Sequence, residues 1–307
     1  MRTQQSHTRQ SPHDEYHTQV PAPHLIGVGV DGAPGGRDAV VLASMLARAT
    51  RAELMLIAVY EEPLLEGVVP TQLGWTSVRE HAHTMLARTR DSLAPEARIA
   101  VQSNALAGRG LAHVARLEHR DLLVIGSTRH ANYGQVGLGN MADGLLSHLE
   151  CPLAVAPRGM RDDADARLER VGVGFDATPE SEAALALAGS IARAAGADLF
   201  VRGLVDDRIA GVALAGDAIV ARQLTSLSER AQEAARATGA RTHVEVIPRV
   251  ADEGLRGLCD HVGLLVIGSG HSGAPGRVQL GSTGETLINE APTPILVAPR
   301  PRHAAAV

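Results

Sequence analysis

Two aspartates stand where a carboxylate could grip a ligand. Asp31 closes the run Leu25-Ile-Gly-Val-Gly-Val30, and Asp176 closes the related run Val171-Gly-Val-Gly-Phe175. Each follows a short apolar segment and precedes a turn containing proline, Pro34 or Pro179. A carboxylate there can accept hydrogen bonds from an adenine amine or a ribose hydroxyl, or it can cap the helix that follows. Two glycine-rich stretches follow the apolar runs Leu122-Leu-Val-Ile125 and Leu264-Leu-Val-Ile267. The first opens Gly126-Ser-Thr-Arg129 and closes Gly137-Leu-Gly139-Asn140; the second opens Gly268-Ser-Gly-His271 and closes Leu280-Gly281-Ser282-Thr283. Glycines let the chain turn tightly and aim free N–H groups at an anion. A helix beginning at Gly139 or Gly281 adds unsatisfied amides and the positive end of its dipole. Ser282 and Thr283 add hydroxyl donors, and the Asn140 amide can also donate or cap its helix. This is phosphate-binding chemistry, written twice.

Composition removes many other chemistries. The chain has 307 residues, and all 29 basic ones are arginine. Without lysine there is no P-loop lysine, no kinase-type phosphate lysine and no Schiff base. A formal charge of −5 and only 2% aromatic residues argue against a nucleic-acid partner, since neither a basic field nor stacking platforms are present. The two cysteines, Cys151 and Cys259, read as small core residues rather than a disulfide or zinc site. No apolar run reaches the ~18 residues of a membrane span. Met1 to Pro23 lacks a hydrophobic signal region and reads as a disordered tail, which points to the cytoplasm.

Histidine is abundant at 14 residues, but His81 and His83 would face different sides of a helix, and no metal site is assigned. Gly27-x-Gly29-x-x-Gly32 satisfies a bare dinucleotide pattern, yet its first glycines fall inside a strand, and the second copy loses the last one. No Ser-His-Asp set can be assigned, and no catalytic residue is proposed.

Positioning these residues falls to a repeated framework. Besides the two strand-and-aspartate runs, Asp121-Leu-Leu-Val-Ile-Gly-Ser127 returns as Gly263-Leu-Leu-Val-Ile-Gly-Ser269. Cys151-Pro-Leu-Ala-Val-Ala-Pro-Arg158 returns as Thr293-Pro-Ile-Leu-Val-Ala-Pro-Arg300. A period this long means two similar domains rather than a solenoid. The reading is a tail over 1–23, a first domain over 24–158, a linker over 159–168, a second domain over 169–300 and a tail over 301–307. Within each copy, β-branched runs alternate with amphipathic helical stripes such as Val41, Leu42, Met45, Leu46 and Ala49. The order predicts α/β architecture: two tandem, doubly wound, parallel five-stranded sheets flanked by helices. Ligands of such sheets bind beyond the carboxyl ends of the strands, which is where the aspartates and glycine loops fall.

The sequence from Leu25 to Arg300 resembles a tandem member of the universal stress protein family. Nucleotide-binding members carry G-x2-G-x9-G-(S/T) between the fourth strand and the last helix. The second copy matches at Gly268, Gly281 and Ser282, with His271 in the second glycine's place. The first matches at Gly126 and Gly139, with Arg129 and Asn140 as departures. The resemblance implies that Asp31 and Asp176 meet the adenosine side, with the Val59 and Leu204 backbones against adenine. It implies ATP or another adenine nucleotide as ligand, together with Mg²⁺, and a stress-response regulator rather than a metabolic enzyme. On its motif the second copy is the favoured holder. A slow ATPase and a nucleotide-free scaffold acting through protein partners stay open as alternatives. The last strands, Leu153 to Ala156 and Ile295 to Ala298, resemble the family's dimerisation strand and are expected to pair within the chain, with a further homodimer left open.

Overall fold

The computed structural model describes residues 20–60, 72–139, 141–206 and 216–302. Most of the expected N-terminal tail, the last five residues and Asn140 therefore lie outside the described residues. The first half runs β1 (Leu25–Gly29), α1 (Pro34–Thr50), β2 (Glu53–Tyr60), α2 (Gln72–Leu93), β3 (Arg98–Ser103), α3 (Ala107–Leu117), β4 (Leu122–Gly126), α4 (Met141–Leu146) and β5 (Leu153–Ala156). After a 3-10 turn at Met160–Asp162 the pattern repeats. The second half runs β6 (Arg170–Phe175), α5 (Pro179–Ala195), β7 (Asp198–Val205), α6 (Gly216–Ala237), β8 (Arg241–Pro248), α7 (Ala251–Cys259), β9 (Leu264–Gly268), α8 (Ser282–Glu290) and β10 (Ile295–Ala298).

Each half supplies five parallel strands, as expected, and the halves join into one 10-stranded sheet of order β3-β2-β1-β4-β5-β10-β9-β6-β7-β8. The join is antiparallel, pairing Ile295 with Val155, Leu296 with Ala154 and Val297 with Leu153. Exchanging the two copies maps this register onto itself, so a local two-fold passes through the Ala154–Leu296 pair. Small meets large there, and both side chains are fully buried in one core. The pairing satisfies the backbone groups that β5 and β10 would otherwise present as bare edges. The edges that remain are β3 and β8, and β8 carries alternating exposed Arg241, His243 and Glu245.

Successive residues of a strand point to opposite faces, and both faces are covered. Leu122 and Val124 enter one apolar core, beneath α1 and α5, whereas Leu123 and Ile125 enter the other, with Leu111 of α3 and Leu255 of α7. Each core contains residues from both halves, so burial of apolar surface ties the copies together. In the first half the winding reverses between β1 and β4, which opens a crevice beyond their carboxyl ends.

Candidate functional site

The crevice of the first half is a cavity of about 450 Å³, within the usual range for small-molecule sites. Asp31, Val59, Gly126, Arg129 and Gly139 all line it, so five of the residues singled out from the sequence meet in one place. Ile57, Leu111, Ile125 and Leu138 give it an apolar wall, while Arg129, Arg158 and Arg161 bring cationic groups to its rim. Asn140, the sixth expected residue of this copy, lies outside the described residues.

Backbone geometry explains the glycine at the end of β4. A Cβ on Gly126 would sit 1.8 Å from the Gly35 carbonyl oxygen, because the start of α1 is laid directly on the strand end. The expected helix cap is not what Asp31 does. The N-cap of α1 is Ala33, with no side-chain cap, and Asp31 Oδ1 instead accepts the Ala33 N–H at 2.9 Å, within an Asx turn. The residue lines the cavity beside that turn.

The loop after β4 is braced from beneath by groups that sequence reasoning missed. Ser127 is buried; its hydroxyl donates to the Ala156 carbonyl at 2.6 Å and accepts the Gly137 N–H at 3.0 Å. Arg158 donates to the carbonyls of Arg129, at 3.2 Å, and Ala131, at 2.8 Å. Asp38, with no exposed surface, holds the chain beyond β5 against α1. Its carboxylate accepts the N–H groups of Gly159 at 3.0 Å and Arg161 at 2.8 Å, and the Arg161 guanidinium lies 3.1 Å from both oxygens. That clamp fixes a side chain of the cavity rim. A signal for Arg158 was present in the sequence, since Val-Ala-Pro-Arg recurs at Arg300; Asp38 had none, because Ala183 takes its place in the second half.

The second half keeps the framework and changes its contents. Ser269 braces the loop in the same way, donating to the Ala298 carbonyl at 2.8 Å and accepting the Gln279 N–H at 3.1 Å. Gly281 is the N-cap of α8, which places Ser282 and Thr283 in the first turn. Asp176 sits at the end of β6, where it accepts hydrogen bonds from the Thr178 hydroxyl, at 2.6 Å, and the Thr178 N–H, at 3.1 Å. Burial pushes its carboxyl up, but hydrogen bonding by Thr178 and Ser181 outweighs this and holds it below the ordinary carboxylate value. Thr178 is the helix cap here, in a capping box with Ser181.

Several substitutions separate the halves among the crevice residues. Gly35 becomes Glu180, Ile57 becomes Arg202, and Val59 becomes Leu204. Arg202 pairs with Gly174 as Ile57 pairs with Gly29, and its guanidinium reaches Glu245 at 2.8 Å. Leu204 packs down onto α7, into the space a Cβ on Gly254 would need. Glu180 is buried, with Oε2 3.2 Å from His271 Nδ1 and Oε1 3.2 Å from Arg300 Nε. Gly268 still lies beneath the start of α5, its missing Cβ 2.7 Å from the Glu180 carbonyl oxygen. The loop residues Gly268, His271 and Gly281 are thus brought together with Asp176, but around a carboxylate of the protein's own.

The halves also touch at their loops. The Val136 N–H donates to the Ala291 carbonyl at 2.9 Å, and Glu150 receives Arg277 and Arg302, each at 3.2 Å. Among the described residues no group of three or more His, Cys, Asp or Glu side chains could hold a metal ion, and no helix is long and apolar enough to cross a membrane.

The fold and its duplicated crevice define a tandem, doubly wound α/β protein. The family model described as "Universal stress protein family" matches it twice, over residues 24–157 and 167–299, and the chain belongs to that family. Universal stress protein Mb2346c of Mycobacterium bovis is 28% identical over 240 residues, spanning 74% of this chain and 80% of the relative. A universal stress protein of Archaeoglobus fulgidus DSM 4304 has the same fold, with a TM-score of 0.68 at 16% identity over 90% of this chain and 98% of its own. A shorter solved member, in complex with cAMP, matches 45% of this chain and 99% of its own at 20% identity, with a TM-score of 0.32.

Proposed function

We propose that the first half binds one adenine nucleotide, ATP being the leading candidate, and that the chain works in the cytoplasm as a nucleotide-responsive stress regulator. The observation that carries this is the cavity joining Asp31, Val59, Gly126, Arg129 and Gly139 at the strand-order switch point. Its parts match a nucleotide end to end. The apolar wall of Ile57, Val59 and Leu111 suits a base, and the Val59 backbone offers amide groups to its edge. The Asp31 carboxylate suits ribose hydroxyls. Loop amides, with Arg129, Arg158 and Arg161, suit phosphates, for which guanidinium is a strong donor. Asp31 is the one carboxylate among the lining residues, so Mg²⁺ would enter with the phosphates and water rather than in a protein cage.

The motif alone favours the second half, through Ser282 and Thr283. The geometry supports the first, because the buried Glu180 side chain stands where the first half has Gly35 beside open cavity. The test is mass spectrometry of small molecules released from freshly purified protein, followed by calorimetry with ATP, AMP and cAMP. The expected result is about one adenine nucleotide per chain, with affinity falling at least ~10-fold in Asp31→Ala, a loss of about 1.4 kcal/mol. Protein that arrives empty and ignores all three nucleotides would overturn the reading.

A further inference from the structure

We propose that the second half carries its own resident anion: the Glu180 carboxylate occupies the phosphate side of that crevice and closes it to external phosphate ligands. This goes beyond the nucleotide reading of the first half and rests on it for the identity of the phosphate side. Glu180 and Gly35 are the same position, each following the proline at the start of its helix and each lying over the glycine that ends the fourth strand of its half. In the first half that position has no side chain, and the space beside it is cavity. In the second half the side chain is present, only 8% exposed, and directed at the partners an incoming phosphate would use. Arg300 and His271 are the counterparts of Arg158 and Arg129, which line the open cavity. Each lies 3.2 Å from a different oxygen of the same carboxylate. A buried carboxylate costs heavily unless paired, and the Arg300 guanidinium and the His271 ring are the partners beside this one. A phosphate entering would have to displace a covalently attached competitor whose effective concentration never falls.

The reading separates two things that the glycine loop alone conflates. The loop, its serine brace and the helix start are intact in the second half. The added anion comes from a residue on another element, α5. On this proposal Glu180 leaves an open anion site in one half and a self-filled one in the other.

The experiment counts bound anions on the full chain. Calorimetric titration with inorganic tripolyphosphate is compared between wild type, Glu180→Ala and Glu180→Gly, with circular dichroism and melting curves to establish folding. Alanine keeps helix propensity at the start of α5, and glycine reproduces the first half. Each folded variant is expected to bind one equivalent more than wild type. A folded variant with no gain overturns the proposal, as does a wild type that already binds two. In parallel, hydrogen exchange of the wild type with ATP is expected to protect the loop over 126–142 and leave 268–283 unchanged; equal protection of both loops also overturns it. Should wild type take tripolyphosphate but not ATP, the adenine reading fails, while the extra equivalent in the Glu180 variants still decides this one.

Discussion

Removing the Asp38 carboxylate should unfasten the rim of the cavity, and the size of the effect can be worked out from its contacts. Asp38 is fully buried and accepts two backbone N–H groups as well as the Arg161 guanidinium. In Asp38→Ala those donors lose their acceptor together. Breaking a buried ion pair by deleting one partner costs about 3–5 kcal/mol, and each stranded amide costs about 1–3 kcal/mol if water cannot reach it. Two features pull toward the lower end: the Arg161 side chain is 27% exposed, so it can turn outward, and the vacated volume can admit water. The expectation is about 3 kcal/mol for Asp38→Ala. About half of that is expected for Asp38→Asn, which keeps one acceptor. The assay is urea unfolding, with a lowered midpoint and an unchanged slope. Because Asp38 is shielded from solvent, the loss should persist in 1 M salt, where an exposed pair would be screened. A loss below about 1 kcal/mol, or one abolished by salt, would refute the clamp. On the nucleotide reading, ATP affinity falls as well, since Arg158 and Arg161 lose their anchored backbone.

Three further outcomes follow from local geometry. Ala177 has φ of 63° where its counterpart Gly32 has φ of 81°; a side chain there is strained, so Ala177→Gly should stabilise the protein by roughly 0.5–1 kcal/mol in the same urea assay, and a loss of stability would count against the strain argument. Burial pushes both the Cys151 and Cys259 thiols up to about 12, so neither should react with a disulfide reagent at pH 8 in the native state, with two thiols titrating after denaturation; fast native labelling would contradict this. Asp176 is held below the ordinary carboxylate value, so its contribution to stability is complete above the unfolded value of about 3.9 and is lost as pH falls through the lower folded value. Thr178→Ala should remove both that hydrogen bond and the helix cap, costing about 1 kcal/mol at pH 7, with the gap to wild type narrowing in strong acid; an NMR titration placing Asp176 at or above its ordinary value would dismiss the mechanism.

Much of this arrangement is legible in the residues. Gly126 and Gly268 recur after matching apolar runs, and their spacing to Gly139 and Gly281 marks the loop in the sequence itself. Asp31 and Asp176 are found because they end apolar runs, and pairing of the two last strands is what the family resemblance implies; its antiparallel register comes from the structure. What stayed hidden depends on tertiary placement. Glu180 reads as an acidic residue favourable to a helix start, an ordinary choice on the macrodipole argument. Only the docking of α5 on β9 turns it inward. Asp38 looks like one more polar residue early in a helix, until the chain beyond β5 folds back over it. Ser127 and Ser269 were passed over because a serine after a glycine is unremarkable until its hydroxyl is seen joining two backbone segments.

The proposed preference for the first half is not legible in the motif for the same reason. The motif departs at the second glycine in both copies, as Arg129 and His271, so that position could not discriminate. The position that carries the proposal, Gly35 against Glu180, sits on α1 and its counterpart α5, outside the loop the motif describes. With its crevice filled by Glu180 as proposed, the second half is still not dispensable. Both apolar cores run through both halves, and the Val136 N–H of the first loop is satisfied by Ala291 of the second half. Leu296 also covers Ala154 at the centre of the sheet. Cutting the chain between the halves would leave β5 as a bare apolar edge and strip the first loop of its buttress, which invites self-pairing rather than a free-standing binding domain. On the two proposals above, the second half would have its anion site filled by Glu180 and would still be required for the first half to hold a nucleotide.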